Sequence, residues 1–253
     1  MTYILIIAAL GVAALIIYLR ITYRGLSGED LRQYDRIISP HGTAVQSDAL
    51  ETLNAYLDEE FGRPAVSGAS KSGWNAKRKR FDAAGLARTD LQAEFRSEVI
   101  TIDGREITAS WTLVDGYDPG KRILYIHGGG FTVGSDISHS ALTTSLAKRT
   151  GGSVLAINYR LMPEHKRSGG IEDARAAYDW IIENGPDSTA PLRTLALAGD
   201  SAGGNLVLML SNWARNSSRK RANAVLALSP IADSTFSAPS IKATECYVRL
   251  LRR

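Results

Sequence analysis

From residue 92 onward, short apolar runs alternate with longer segments whose apolar residues recur every three or four positions. The runs 95–102 and 106–114 flank Asp103-Gly104 and predict an antiparallel pair of strands. The predicted order then continues with strand 122–126, helix 139–149, strand 154–158, helix 171–183, strand 192–198, helix 202–214 and strand 224–228. Such alternation builds right-handed βαβ units, so the sequence predicts an α/β fold with a mostly parallel sheet and helices on both faces.

The N-terminal residues follow a different pattern. Residues 3–19 are almost wholly apolar and carry no charged side chain, and Arg20 and Arg24 follow them. A helix of this length spans about 26 Å, the short end of what crosses a bilayer. No basic segment precedes the run and no small-residue cleavage site follows it, which favours a membrane anchor over a signal peptide or a buried core helix. The flanking arginines predict a single-pass membrane protein with its larger part in the cytoplasm.

Residues 25–91 lie between the predicted anchor, 1–24, and the α/β segment, 92–253. We expect them to form an N-terminal helical cap and a loop. Apolar residues recur at helical spacing to about residue 61, where a glycine and a proline end the pattern, and small polar residues predict a loop over 65–75.

The densest basic cluster of the chain is Lys77-Arg78-Lys79-Arg80. We expect a solvated helix face or loop here, with contact to anionic lipid headgroups as the alternative. The net charge is only +4, and neither interleaved aromatic residues nor a binding motif predicts a nucleic-acid partner. The single cysteine, Cys246, excludes an intramolecular disulfide. No residues have metal-ligand spacing, so neither a metal nor a cofactor is predicted.

A serine lies between an apolar strand and an amphipathic helix, in Gly199-Asp200-Ser201-Ala202-Gly203. A tight turn in this setting lifts the serine hydroxyl above the sheet. The helix that begins at Ala202 adds a backbone amide and a positive dipole end where an oxyanion forms. The pentapeptide alone is a weak signal, but its place between strand and helix predicts a nucleophilic serine at Ser201.

A second turn follows a strand in His127-Gly128-Gly129-Gly130-Phe131. Consecutive glycines allow backbone N–H groups to turn inward, as an oxyanion hole requires. A phosphate-binding loop is the competing interpretation, but neither Gly-Lys-Ser/Thr nor the G-x-G-x-x-G spacing is present. His127 begins this loop, so we expect it, with Gly128, to support the loop by hydrogen bonding rather than to act as a base.

Between these two turns lie Tyr159-Arg160-Leu161-Met162-Pro163-Glu164-His165 and Glu172-Asp173-Ala174. With these segments, residues 92–242 resemble the hormone-sensitive-lipase-like carboxylesterases of the α/β-hydrolase fold. The resemblance implies a serine esterase or lipase that acts on short- to medium-chain acyl esters without a cofactor. It implies Ser201 as the nucleophile, an oxyanion hole of the Gly129, Gly130 and Ala202 amides, and helices before residue 62 that cap the acyl pocket.

The other histidines and acidic residues are expected to be structural. By the resemblance, Pro163-Glu164-His165 is a buried turn, and the Tyr-Arg and Glu groups tie loops together by charge-assisted hydrogen bonds. We expect His139 to cap a helix or to lie at the surface, and His41 to lie in a loop without a catalytic role.

The sequence has four histidines, and all of them precede Ser201. The family's order is serine, then acid, then histidine. The only later aspartate, Asp233, resembles part of a loop motif, so this chain has no predicted catalytic acid or histidine. Because residues 246–253 do not resemble the family, we expect an incomplete hydrolase domain that lacks its C-terminal strands, with 224–228 as an exposed apolar edge. A genuine but divergent tail is the alternative.

A serine without a base is a poor nucleophile, so the activity of this chain is in doubt. In other serine hydrolases, binding and the oxyanion hole alone retain about 10³–10⁴-fold acceleration over water. The alternative function is a non-catalytic, membrane-tethered binding protein or pseudo-hydrolase. A remote third is an enzyme whose acid and histidine come from a partner chain.

Overall fold

The protein is described here by a computed structural model, which describes residue 18 and residues 71–86, 90–102, 104–187 and 190–232. All but residue 18 lie in one compact unit, Pro64–Ser234. Several predictions fall on residues outside these ranges. They concern the helices before residue 62, the roles of His41 and Asp233, and the tail with Cys246. Of the predicted anchor 1–24, the structure describes residue 18 alone. None of the helices in the described ranges is both long and apolar enough to span a bilayer.

The described residues form a six-stranded sheet that is mostly parallel, as predicted. In spatial order β1-β2-β4-β3-β5-β6, the pairs β1/β2 and β2/β4 are antiparallel, and the pairs β4/β3, β3/β5 and β5/β6 are parallel. The strands are β1 (Glu94–Ile102), β2 (Arg105–Leu113), β3 (Asp118–Ile126), β4 (Gly152–Ile157), β5 (Thr194–Asp200) and β6 (Ala224–Leu228). Each strand predicted from the sequence is present, with ends that differ by a few residues.

Apolar residues on alternate positions of the central strands face two separate cores. Leu124 and Ile126 of β3 belong to one core, which includes residues of helices α3 (Arg167–Glu183) and α4 (Ser201–Asn216). Ile123 and Tyr125 belong to the other, together with Ala147 of α2 (Ser140–Thr150). Because strands buried on both sides need helices on both faces, this alternation explains the layered fold.

Helix α1 (Lys71–Leu86) corrects the prediction of a loop over 65–75, because residues 71–75 are helical. It also divides the basic cluster. Lys77, Lys79 and Arg80 are exposed on the helix, as expected, but Arg78 points inward. Its guanidinium donates to the carbonyl oxygens of Thr132 and Met162, so the loops after β3 and β4 hold the helix in place. The sequence pattern missed this helix because long-range contacts help to stabilise it.

The buried Arg122 at the start of the parallel part of β3 ties the helical layer to the sheet. It is 2% exposed, and its guanidinium donates to four backbone carbonyls, those of Pro119, Ile181, Ile182 and Ala190. Burial lowers the pKa of Arg122 from its ordinary value, which the charge of Glu183 partly offsets. Two of the carbonyls belong to the last turn of α3, where helical carbonyls lack partners within the helix.

Strand β6 is the last strand in the spatial order of the described sheet. Its Val225 and Leu226 side chains are 38% and 42% exposed, as expected for an apolar edge. Sheet edges of this kind are usually protected in folded proteins because they pair readily with other strands.

Candidate active site

Ser201 lies where β5 ends and α4 begins, which confirms the predicted strand-turn-helix setting. Its backbone is in the left-handed region, with φ +50°. A residue other than glycine rarely adopts this conformation, and it costs on the order of 1–3 kcal/mol. The surrounding structure therefore holds the serine in a strained turn between strand and helix.

The glycines of this turn allow α4 to approach the end of β3 closely. A Cβ on Gly203 would lie 1.9 Å from the carbonyl oxygen of Ile126 and 2.6 Å from that of His127. A Cβ on Gly199 would lie 2.7 Å from the same Ile126 oxygen. Only glycine fits at such distances, so these residues bring the serine turn against the beginning of the glycine loop.

The glycine loop itself has the backbone conformation that its sequence predicts. Gly129 and Gly130 have φ of +112° and +61°, and Phe131 has φ +61°. The carbonyl oxygen of Gly129 accepts from the amides of Thr132 and Val133, which closes the loop. Among the described residues, no acceptor is found for the Gly129 and Gly130 amides.

The carboxylate of Asp200 joins the serine turn to the glycine loop. Its Oδ1 accepts from the Gly128 amide at 2.9 Å and from the Tyr125 hydroxyl at 2.7 Å, and it lies 3.4 Å from His139 Nε2. Burial raises the pKa of Asp200, but the hydrogen bonds from His139, Tyr125 and Gly128 outweigh it and lower the pKa below its usual value. Asp200 is therefore ionised at neutral pH. The motif contains it, but sequence reasoning gave it no role.

His127 is 1% exposed, and its ring stacks on Tyr159 at 4.4 Å. Its Nδ1 lies 2.7 Å from the Gly128 carbonyl oxygen, and the Tyr159 hydroxyl donates to the His127 carbonyl at 3.0 Å. Burial, with a contribution from nearby His139, lowers the pKa of His127 to about 3. The ring is therefore neutral and bonded within the loop, an arrangement that suits the predicted supporting role.

His139 differs from both expectations for it. It occupies the N-cap position of α2 but makes no side-chain cap hydrogen bond. It is also not at the surface, since it is only 7% exposed. Its Nδ1 lies 2.9 Å from Ser138 Oγ and 3.2 Å from the Ser135 carbonyl oxygen, and its Nε2 faces Asp200. The ring is buried because it fills the space beside the serine turn, which local sequence cannot reveal.

The charged residues between the two turns confirm one expectation and correct another. Arg160 donates to both oxygens of the buried Asp173 and to Glu172, so the Tyr-Arg and Glu groups do tie loops together. The turn at Glu164, predicted to be buried, is exposed. Glu164 accepts from Arg78 of α1 at 2.7 and 2.9 Å, and this interaction lowers the pKa of Glu164 from 4.5 to about 2. Its partner is distant in sequence, so the pattern could not find it.

A cleft of about 510 Å³ opens beside the loop that follows the glycines. Trp74, Thr132, Met162 and Pro163 are among the residues that line it. Nearby, the Arg167 guanidinium lies 4.5 Å from the centre of the Phe131 ring and donates to Asn205 in the first turns of α4. Within the described ranges, no group of three His, Cys, Asp or Glu side chains could hold a metal ion.

A strained serine at a strand–helix junction, opposed to a glycine loop on a mostly parallel sheet, defines the α/β-hydrolase architecture. Residues 123–251 match the family described as the alpha/beta hydrolase fold. The chain belongs to this family, in the group of hormone-sensitive-lipase-like carboxylesterases. The matched range reaches residue 251, so it includes most of residues 246–253, contrary to the expectation that these residues do not resemble the family.

Similar proteins cover the chain in part. An acetyl-hydrolase of Streptomyces hygroscopicus is 36% identical over 136 residues, which are 54% of this chain and 43% of that protein. An ethyl acetate hydrolase of Pseudomonas putida is 34% identical over 49% of this chain and 39% of its own length. The chain thus spans about two fifths of these relatives.

Solved structures show the same fold over a longer range. The esterase EstE5, soaked with p-nitrophenyl butyrate, has a TM-score of 0.65 and 28% identity, over 80% of this chain and 65% of that one. An esterase from the bacterial hormone-sensitive lipase family has a TM-score of 0.67 and 26% identity, over 81% of this chain and 64% of that one.

Proposed function

We propose that the domain performs serine-dependent hydrolysis of carboxylic esters, with Ser201 as the nucleophile. The observation that carries the proposal is the left-handed Ser201 backbone at the β5–α4 junction, joined to the glycine loop by the Asp200–Gly128 hydrogen bond. In the proposed reaction, Ser201 Oγ forms a bond to the acyl carbon while negative charge develops on the carbonyl oxygen. The Gly129, Gly130 and Ala202 amides stabilise that charge.

The proton of the Ser201 hydroxyl must pass to a base as the new bond forms. Neither buried histidine is placed for this, because the nearest partners of His127 lie in its own loop and Nε2 of His139 faces Asp200. No histidine follows Ser201 in the 253-residue sequence. We therefore infer that this chain, taken alone, acylates slowly. When the tetrahedral intermediate collapses, the bond between the acyl carbon and the alcohol oxygen breaks, and the alcohol leaves with a proton. Water then attacks the same carbon of the acyl-enzyme, which releases the carboxylic acid and leaves a proton on Ser201 Oγ.

We propose short- to medium-chain acyl esters as the substrate class. The names of two relatives, an acetyl-hydrolase and an ethyl acetate hydrolase, point to small acyl groups. The chemistry needs no metal or cofactor, because backbone amides supply the electrophilic stabilisation.

We also propose that the domain is held at a membrane by residues 3–19 as a single-pass anchor, with the domain in the cytoplasm. The support is the uncharged apolar run and the arginines that follow it. An ester substrate that partitions into the bilayer would then reach the domain at raised local concentration.

A fluorophosphonate probe tests the nucleophile directly, with Ser201→Ala as the control. Peptide mapping by mass spectrometry should find the phosphonyl group on Ser201 before any other serine, and none on the matching peptide of the control. Random labelling of several serines, or none, contradicts the proposal and favours a non-catalytic binding protein.

Added imidazole tests whether the lack of a base limits the reaction at Ser201. We expect p-nitrophenyl butyrate hydrolysis to rise with imidazole more steeply for the wild-type chain than for Ser201→Ala, which measures the uncatalysed background. General bases contribute about 10²–10⁴-fold in enzymes, which is the ceiling for this rescue. Equal slopes for the two proteins would show that Ser201 does not take part.

A further inference from the structure

A polar cluster adjoins the serine turn, and the proposed reaction does not use it. Its centre is the Asp200 carboxylate, whose Oδ1 is contacted by Tyr125 of β3, Gly128 of the glycine loop and His139 at the start of α2. The end of β3, the glycine loop and the start of α2 thus meet on one oxygen atom of a residue that lies much further along the chain. Hydrogen bonds to a charged carboxylate are about twice as strong as neutral ones.

The contact between Asp200 and Gly128 fixes the glycine loop at two points. Oδ1 accepts the Gly128 amide, and Oδ2 lies against the Gly128 Cα, where an added Cβ would be 2.2 Å from it. The Gly128 peptide therefore has little freedom to rotate. Because the Gly129 and Gly130 amides follow immediately, their directions depend on how Asp200 is held.

His139 contacts the Asp200 carboxylate from the start of α2. Its Nε2 lies 3.4 Å from Oδ1, and its Nδ1 lies within hydrogen-bond distance of Ser138 Oγ. The adjacent Ser135 hydroxyl donates to Asp82 of α1 at 2.6 Å. Close packing also joins these segments, because a Cβ on Gly85 would lie 2.0 Å from the Ile137 carbonyl oxygen. The ring is thus fixed on both of its nitrogen-bearing edges.

We propose that His139 is a positioning residue, which orients the glycine loop through the Asp200 carboxylate. It touches neither the substrate nor Ser201 in this role. The catalytic consequence rests on the proposed function, since a misaligned Gly129–Gly130 segment matters to a reaction only if those amides receive an oxyanion. The structural consequence does not rest on it, and the two can be measured separately.

Hydrogen–deuterium exchange measures the structural consequence without any activity. The protected amides of the loop are those of Gly128, Thr132 and Val133. In His139→Leu, we expect peptides covering 127–133 to exchange about tenfold faster, as loss of a charge-assisted hydrogen bond implies. Peptides of β2 and β4 serve as the internal control and should keep their wild-type rates. In His139→Gln, whose amide can donate to Asp200, the loop should regain most of its protection.

Fluorophosphonate labelling of Ser201 measures the catalytic consequence in the same variants. We expect a fall of about 10- to 100-fold in His139→Leu and a smaller fall in His139→Gln, because a misplaced oxyanion donor costs this order of rate. If His139→Leu does not fold, Asp200→Asn replaces it, since the amide keeps the shape and loses the charge. Its loop should again exchange faster than the two control strands.

The outcomes separate the two proposals. Unchanged loop exchange, a parallel rise in the loop and both control strands, or identical behaviour of the Leu and Gln variants each overturns the positioning role. Selective loop exchange in a protein whose Ser201 is never labelled, wild type included, supports the positioning role and rejects the proposed function. Faster exchange confined to the loop, with unchanged labelling of Ser201, overturns the proposal that His139 controls the oxyanion donors.

Discussion

Replacement of Gly203 by alanine is the sharpest perturbation that the structure offers. The added Cβ would lie 1.9 Å from the Ile126 carbonyl oxygen, whereas real Cβ contacts are essentially never below 3.0 Å. The obstructing atom is backbone, so it cannot move aside as a side chain can. The end of β3 or the start of α4 must therefore shift by about 1 Å, a displacement that can cost about 100-fold in rate when it reaches reacting groups.

The neighbouring Gly204→Ala is the matched control, because its Cβ would come no closer than 3.0 Å, to atoms of Pro230. Both substitutions gain about 1 kcal/mol of helix propensity. Overpacking costs about 1–3 kcal/mol and more when backbone must move. We expect Gly203→Ala to lose about 2 kcal/mol or more of unfolding free energy in urea and Gly204→Ala to change by less than about 1 kcal/mol. Equal stability and equal labelling of Ser201 in the two variants would refute the close approach of α4 to β3.

Three further predictions concern other parts of the chain. Arg122→Met should lower the unfolding free energy in a urea titration by about 2–4 kcal/mol, because it leaves buried carbonyl acceptors without a donor. The control Arg193→Met, at an exposed position, should change it by less than about 1 kcal/mol. Arg78 lowers the pKa of Glu164 to about 2, so the ion pair stabilises the fold above pH 4.5 and this stabilisation is lost as the pH falls toward 2. The contribution is about 0.5 kcal/mol at this partly exposed site. Glu164→Gln should remove that part of the pH dependence of thermal unfolding. Expressed with residues 1–24, the protein should stay in the membrane pellet after carbonate washing, and without them it should not; release of both forms contradicts the anchor.

The sheet and the turns at Ser201 and His127 could be predicted because their signals are local. Each central strand is a short apolar run. The glycines beside Ser201 allow a close approach, and those after His127 adopt left-handed backbone. Such features depend on a few neighbouring residues, so they can be recognised in the sequence without knowledge of the fold. The same applies to the β1–β2 pair, whose turn is marked by Asp103-Gly104.

The interactions that organise the site could not be predicted, because they join residues far apart in sequence. His139 has the sequence setting of a helix cap, yet it is buried against Asp200 because β3 and β5 are neighbours in the sheet. Arg78 belongs to a basic run that predicts a solvated face, yet it turns inward to Glu164. In both cases the sequence reveals the residue type and its element, and only tertiary packing reveals its partner.

Mapping the butyryl group after reaction with p-nitrophenyl butyrate tests the role of Ser201 most directly. Deacylation also needs a base, so the acyl-enzyme should accumulate in this 253-residue chain and survive acid quenching. We expect tandem mass spectrometry to place the butyryl group on Ser201, and Ser201→Ala to leave the corresponding peptide unmodified. Butyrylation spread over surface lysines, in equal yield for both proteins, would contradict Ser201 as the nucleophile.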